Sequence, residues 1–442
     1  MRQYRIWGSK PVMGQAYIGG AKNAALPLLA AICLNKGESV IHNCPRIADT
    51  LLTVEILKHV GCRADFNGNT LWVDTSGISE INIPGKWVGK MRSSLLFMGA
   101  MLGRVGQVNI AQPGGCEIGE RGIGYHLDGL AAMGATIKLE DKIFHCSGAL
   151  RGADIHFPTA SVGATQNIML AATLAKGRTT ISNAAKEPEV VDLAQLLVRM
   201  GADIRGAGTE KIIIEGVNRL DGTTHKVRPD RIVAGTYLVA AAMTQGEINV
   251  ANVYPQDLAN VTVKLTEMGC KVSHGADNIT LKGPRRLKPL PYLETAEHPG
   301  FPTDMQAQFV AALSVADGHS IVKERIFDNR HSHAAQLRLM GAGVESRQVS
   351  ISDKKEITVF EIEGRPGLHG AVVTAKDLRC GAALVLAGLA AEGETVVKNA
   401  KYVERGYERI EDTLAGVGVD ILVEEVADEP NIDKATATNT VA

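Results

Sequence analysis

The chain has 442 residues, 45 % hydrophobic and 21 % charged, a globular balance too long for one ordinary core, so two domains or more are expected. Lys and Arg number 47 against 48 Asp and Glu, a formal net charge of -1, which leaves no overall basic field for nucleic acid or an anionic membrane. Aromatics at 4 % argue against base stacking, the opening "MRQYRIWGSK" has no apolar run resembling a signal peptide, and no stretch approaches 18 uninterrupted apolar residues, the length of a membrane span.

The first alternating stretch, "QYRIWGS", precedes the first full repeat and is expected to belong to the other, second domain. From there a pattern L-x-x-[MV]-G recurs six times, ending at Gly61, Gly134, Gly201, Gly269, Gly341 and Gly418, 67 to 77 residues apart. Leu and Met at three-residue spacing mark the core face of a helix, and the glycine supplies its left-handed cap. A second pattern keeps the same phase. It is an alanine-rich apolar run, a glycine and an alternating strand, as in "AATLAKGRTTISNA" and "VLAGLAAEGETVVKNA". Helices as uniformly apolar as "GAALVLAGLAA" are buried ones. The expectation is therefore α/β, with helices inside, sheets around them, and two groups of three repeats. The division is expected near "HKVRPDRIV", residues 225–233, and the polar tail from Glu424 is expected to be disordered.

Short segments between the repeats collect cations, carboxylates and glycines. In chain order they hold Lys22 and Asn23, Arg92, Cys116 with Arg121, Asp304, Arg330, Asp377 with Arg379, and Arg405. A lysine at a helix start opposes the helix dipole, so Lys22 is either a snorkelling surface group or an anion binder. Asp304 after "HPGFPT" is either an N-cap or a functional carboxylate. Taken singly, each arginine reads as a solvated surface group. Together most sit near the start of the same helix in successive repeats. The fold should then gather those helix starts at one cationic cleft, suited to a small polyanion with phosphate and carboxylate groups. Asp304 and Asp377 would be ionised there, and one of them could serve as general base.

The seven cysteines (33, 44, 62, 116, 146, 270 and 380) include no CxxC pair, which argues against a zinc site or disulfide framework and for a reduced, cytoplasmic protein. Cys33, Cys62, Cys270 and Cys380 sit in apolar patterns and read as core. Cys116 lies in "PGGCEIGER", among Gly114, Gly115 and Gly119, which let a loop move and bring backbone close to a ligand. Arg121 nearby would favour its thiolate.

Seven segments, "GGAKNAALP", "PGGCEIGER", "SVGATQNIMLAA", "NAAKEPEVVD", "PGFPTDMQAQF", "DLRCGAALVLAG" and "ERGYERIED", make the chain resemble the UDP-N-acetylglucosamine enolpyruvyl transferases (1-carboxyvinyltransferases) from about residue 1 to 423. The resemblance implies two inside-out α/β domains, each of three βαβαββ units. The boundaries it implies are 22–229 for the first domain, 1–21 with 230–423 for the second, and 424–442 as tail. It implies transfer of the enolpyruvyl group of phosphoenolpyruvate to the 3-hydroxyl of the sugar, with loss of phosphate, by addition and elimination at the entry to peptidoglycan synthesis. By motif, Lys22, Arg121 and Arg405 would hold the phosphate of phosphoenolpyruvate, and Arg330 and Arg379 its carboxylate. Asp304 would be the general base and Asp377 a second carboxylate in proton traffic. Cys116 would be the proton donor and the site of fosfomycin attack. Asn23, Arg92, Ser161, Val162, Gly163 and Ile326 would contact the nucleotide sugar. No metal or organic cofactor is implied, and the protein would be a monomer or weak homo-oligomer.

Three departures fall in the nucleotide site. "RGIGYH" places Gly122 and Gly124 where the family usually has Pro and Asp. Thr159 stands for a lysine, and Val233 for a glutamate. The acceptor therefore stays open between UDP-N-acetylglucosamine and another nucleotide sugar, with a non-catalytic sugar-nucleotide binder as the reading from another class.

Overall fold

A computed structural model describes residues 1–113, 123–352 and 355–426. The six alanine-rich runs are helices: Lys22–Ala31, Leu96–Val105, Val162–Thr173, Arg231–Met243, Gln306–Leu313 and Leu378–Ala390. Nearly every residue of each is buried, because a helix with no polar face has no side to turn to water. Leu96–Val105 packs on Val162–Thr173, and Gln306–Leu313 on Leu378–Ala390.

The buried apolar side chains fall into two clusters. One runs from Ala21 to Val227; the other joins Tyr4–Ile18 to Ile232–Ile421. Around them, among the described residues, lie six four-stranded sheets of one pattern. In the first, Thr224–Lys226 runs parallel to Glu38–His42, which pairs antiparallel with Thr70–Asp74, which pairs in turn with Arg63–Asn67. The chain closes its sheets with strands from far away in sequence. Met13–Tyr17 joins Glu247–Ala251 in parallel, and Arg2–Trp7 lies between Glu394–Lys398 and Asp420–Glu425. The opening strand thus lies inside the sheet of the sixth repeat, a placement more specific than its sequence position indicated. The two passages of chain between the clusters run side by side, tied by a bridge between Gly20 and Pro229.

All six L-x-x-[MV]-G glycines have positive φ, from 86 to 108°, as a left-handed cap demands. The second pattern holds at Gly37, Gly106, Gly177, Gly318 and Gly393; in the fourth repeat Gln245 takes the positive φ instead of Gly246. A third repeated device escaped the sequence reading. Asn43, Asn183, Asn252 and Asn399 all have φ between 54 and 61°. Each donates its amide to the carbonyl at the end of the neighbouring parallel strand: Val227, Phe157, Ile18 and Ala375. One boundary needs correction. The last strand reaches Glu425, with Glu424 opposite Gln3, so ladder pairing carries order past residue 423. Residues 427–442 lie outside the described residues.

Candidate active site

The starts of the six core helices carry the candidate residues. Lys22 is the first residue of its helix, and Arg92 opens the 3-10 turn ahead of Leu96–Val105. Ser161 precedes Val162–Thr173, Asp304 lies in the turn Thr303–Met305 ahead of Gln306–Leu313, and Asp377 precedes Leu378–Ala390. Asp230 joins two of these starts. Its Oδ1 accepts the Ile232 and Val233 N–H groups at 2.8 and 3.0 Å, capping its own helix, while its Oδ2 accepts the Lys22 N–H at 3.1 Å.

Two carboxylates organise the cations. Asp304 Oδ1 meets Arg330 at 2.8 Å and its Oδ2 meets Arg379 at 2.7 Å, with the Asn23 amide at 3.4 Å. Burial alone would raise the Asp304 pKa; Arg379 and then Arg330 reverse this and hold it well below the usual carboxylate range. Arg379 lies over the Tyr407 ring and Arg330 over Phe327, so apolar faces flank both guanidiniums. Asp49 does the same for a second set. Its Oδ2 pairs with Lys22 Nζ at 2.8 Å, and both its oxygens take the Arg405 guanidinium, at 2.9 and 3.1 Å. Burial pushes the Lys22 ammonium down, opposed by Asp49, while Lys22 and Arg405 hold Asp49 below its usual value against burial. Asn23, next to Lys22, reaches Asp304 at 3.4 Å, so the two sets adjoin.

Asp49 was missed because nothing in "PRIADTLLTVEIL" distinguishes it from an acidic residue in a helix's first turn. Glu324 was missed as well. Buried in a strand, it accepts from Thr295, Thr303 and the Ile326 and Phe327 N–H groups, while Thr303 in turn receives Arg330 at 2.7 Å. Glu324 thereby holds the turn that carries Ile326, and a hydrogen-bonded chain reaches from it to Arg330.

The N-cap reading attached to Asp304 belongs instead to Asp377. No side-chain cap bond forms at Asp304, whereas Asp377 Oδ1 accepts the Arg379 and Cys380 N–H groups at 2.9 and 3.0 Å and its Oδ2 accepts the Ser332 hydroxyl at 3.0 Å. Both Asp377 oxygens are therefore engaged in shaping the start of the Arg379 helix.

On the nucleotide side Ser161 caps its helix through the Ala164 N–H, and Val162 and Gly163 form the first turn. Thr159 and Gly124 are exposed; Val233 packs against the second apolar cluster. Cys116, Arg121 and Gly122 lie outside the described residues. The other six cysteines are buried, in keeping with core packing.

Residues 6–414 match the family model of EPSP synthase (3-phosphoshikimate 1-carboxyvinyltransferase). The chain is 48 % identical over 423 residues to UDP-N-acetylglucosamine 1-carboxyvinyltransferase 2 of Caldanaerobacter subterraneus subsp. tengcongensis, covering 96 % of this chain and 99 % of that one. It is 42 % identical over 418 residues to UDP-N-acetylglucosamine 1-carboxyvinyltransferase of Geotalea uraniireducens, covering 94 and 98 %. Among solved structures, the enolpyruvyl transferase NikO from Streptomyces tendae superposes with a TM-score of 0.86 at 25 % identity, over 96 % of this chain and 99 % of that one. EPSP synthase from Acinetobacter baumannii gives 0.73 at 18 % over 96 and 100 %, a likeness of fold.

Proposed function

The chain belongs to the enolpyruvyl (1-carboxyvinyl) transferase family, and from that premise we propose how its residues divide the reaction. It transfers the enolpyruvyl group of phosphoenolpyruvate to UDP-N-acetylglucosamine, an enolpyruvyl transfer of peptidoglycan synthesis. The proposed acceptor atom is the sugar 3-hydroxyl, and the proposed path is addition followed by elimination. Cys116 delivers a proton to the methylene carbon while the sugar oxygen bonds to the neighbouring carbon. Loss of one proton from the resulting methyl group then expels phosphate and restores the double bond.

The observation that carries this division is the placing of Asp304 between Arg330 and Arg379. The two guanidiniums already hold a carboxylate, that of Asp304 itself. The carboxylate of phosphoenolpyruvate, a better fit to paired forks than any neutral group, would compete for them. With part of their charge spent on the substrate, the arginines hold Asp304 less strongly and its basicity rises. It then becomes a stronger base as the sugar hydroxyl arrives, a rise that general-base catalysis rewards. Asp49 plays the matching part for phosphate, keeping Lys22 and Arg405 together and charged until the dianion binds, with Arg121 added from the loop. The leaving phosphate develops its charge against these cations, which need no reorganisation at that moment.

The two apolar clusters are proposed as domains, 22–229 and 1–21 with 230–425, that close on the substrates and exclude water. The proposed working form is a monomer or weak homo-oligomer, and the balanced charge supplies no drive toward nucleic acid. Phosphate release on mixing the protein with phosphoenolpyruvate and UDP-N-acetylglucosamine tests the reading. One phosphate per enolpyruvyl sugar is expected. Release with a different nucleotide sugar only would replace the acceptor, and release with none would overturn the assignment.

A further inference from the structure

The two arginines of the Asp304 cluster are joined twice, directly by Asp304 and through their own chain segments by a second carboxylate. Ser332, two residues after Arg330, opens the helix Ser332–Leu339. Asp377, two residues before Arg379, precedes the helix Leu378–Ala390. These helices pack together, and the Ser332 hydroxyl donates to Asp377 Oδ2 at 3.0 Å. No side-chain cap bond forms at the start of Ser332–Leu339, so this hydroxyl serves the neighbouring helix rather than its own. Asp377 Oδ1 accepts the Arg379 and Cys380 N–H groups at 2.9 and 3.0 Å. A carboxylate offers about four acceptor sites. Two of those on Asp377 hold the backbone of the Arg379 segment, and a third holds the hydroxyl of the Arg330 segment.

Asp304 is the tie that the proposed reaction opens. While it is in place, its charge offsets two guanidiniums that are buried, at 5 and 4 % exposure. Once a substrate carboxylate displaces it, Arg330 keeps the Thr303 hydroxyl at 2.7 Å, and its Nε is buried without a partner among the described residues. Arg379 keeps the Tyr407 ring. Neither contact links one arginine to the other. Two buried like charges repel, and a pair of forks grips one carboxylate only at a set separation. The Ser332–Asp377 bond remains, two residues from each arginine.

We propose that Ser332 is a positioning residue for the enolpyruvyl donor, its hydrogen bond to Asp377 setting the separation of the Arg330 and Arg379 forks for the carboxylate of phosphoenolpyruvate. This rests on the reading of those arginines as the substrate carboxylate site. Ser332 acts through Asp377 and the two helix starts, and its effect is confined to the carboxylate end of the donor. The phosphate end lies with Lys22 and Arg405, which Asp49 holds independently of this bond. A bond that merely joined two helices would make no such distinction between the two ends of one substrate.

Two measurements test it. Ser332→Ala removes the hydroxyl at a half-buried first helical position, where alanine suits the helix. It should raise KM for phosphoenolpyruvate about tenfold, the effect of one lost hydrogen bond to a charged oxygen, while the inhibition constant of inorganic phosphate changes less than about twofold. Ser332→Thr keeps the hydroxyl and should return KM to within about threefold of the wild type. An unchanged KM in Ser332→Ala, an equal weakening of phosphate inhibition, or a threonine variant as impaired as the alanine one overturns the inference alone. The second measurement leaves Ser332 intact. In crystals of Cys116→Ser with phosphoenolpyruvate and UDP-N-acetylglucosamine, the Ser332–Asp377 bond should stay near its present 3.0 Å while Asp304 leaves an arginine. A parted pair, with the substrate carboxylate still on both forks, overturns it too. A wild-type protein that releases no phosphate from phosphoenolpyruvate takes the functional reading with it.

Discussion

The two carboxylate-centred clusters of the cleft are built alike and tied differently. Asp304 draws Arg330 and Arg379 from its own half of the molecule, whereas Asp49 belongs to the first apolar cluster's half and takes Arg405 from the other. Neighbouring bonds reinforce the second tie, since Glu408 accepts the Arg46 N–H and the Asn69 amide across the same boundary. Separating the halves would break the Asp49 cluster, while the Asp304 cluster would lose only its long Asn23 contact and keep both arginines. On the proposed division of roles, the first would couple substrate phosphate to closure, while the second would be a preformed carboxylate cradle. Buried ion pairs of this kind add little net stability for their desolvation cost, but removing one partner strands the others.

The contrast can be broken first at Asp304. Asp304→Ala should lower kcat by about a thousandfold while UDP-N-acetylglucosamine still binds by calorimetry, since a base is removed and the nucleotide contacts are not. Near-normal turnover would reject it as the base. Arg379→Lys should follow, with KM for phosphoenolpyruvate rising about thirtyfold, because an ammonium cannot reproduce a fork shared between Asp304 and the substrate. Asp49→Asn should show its main effect in closure and stability. Urea unfolding should report a loss of about 2 kcal/mol, discounted from a fully buried pair because Arg405 is one-third exposed. An unchanged midpoint would show that the inter-half tie is idle.

Acid sharpens the comparison. Asp304 and Asp49 both have folded pKa values below their unfolded ones, so their contribution is present above the ordinary carboxylate value and lost as pH falls through the folded ones. The urea midpoint attributable to them should be level from pH 8 to about 5 and fall below about 4. Asp49→Asn should flatten part of that fall; an identical acid limb would deny Asp49 its depressed pKa. The smallest effect is expected at the nucleotide side, where Thr159→Lys should lower KM for UDP-N-acetylglucosamine by about threefold, the worth of one exposed charge contact. A rise in KM would mean that the threonine is fitted to another acceptor.

The repeat, the buried helices and the gathering of helix starts were legible because each rests on local periodicity that recurs six times. The glycine caps were legible for the same reason, apart from the fourth repeat, where Gln245 adopts the strained backbone and the signal moves one residue. Asn43, Asn183, Asn252 and Asn399 share a phase too, yet an asparagine after a strand has many explanations until its carbonyl partner is seen. Asp49 and Glu324 were illegible for a different reason. Their roles depend on what tertiary packing puts beside them, and sequence-distant partners such as Arg405 leave no trace in their own neighbourhood. Asp304 and Asp377 were both singled out, but which would cap a helix turned on the exact start of each helix, the least certain feature of any sequence reading.

In the proposed reaction Asp304 occupies, before substrate binds, the cradle of the substrate carboxylate. A crystal structure of Cys116→Ser with phosphoenolpyruvate and UDP-N-acetylglucosamine tests it most directly. The phosphoenolpyruvate carboxylate is expected on the Arg330 and Arg379 forks, with Asp304 drawn away from at least one of them toward the sugar hydroxyl. Asp304 still bridging both guanidiniums at its present 2.7 and 2.8 Å, with the substrate carboxylate bound elsewhere, would contradict it.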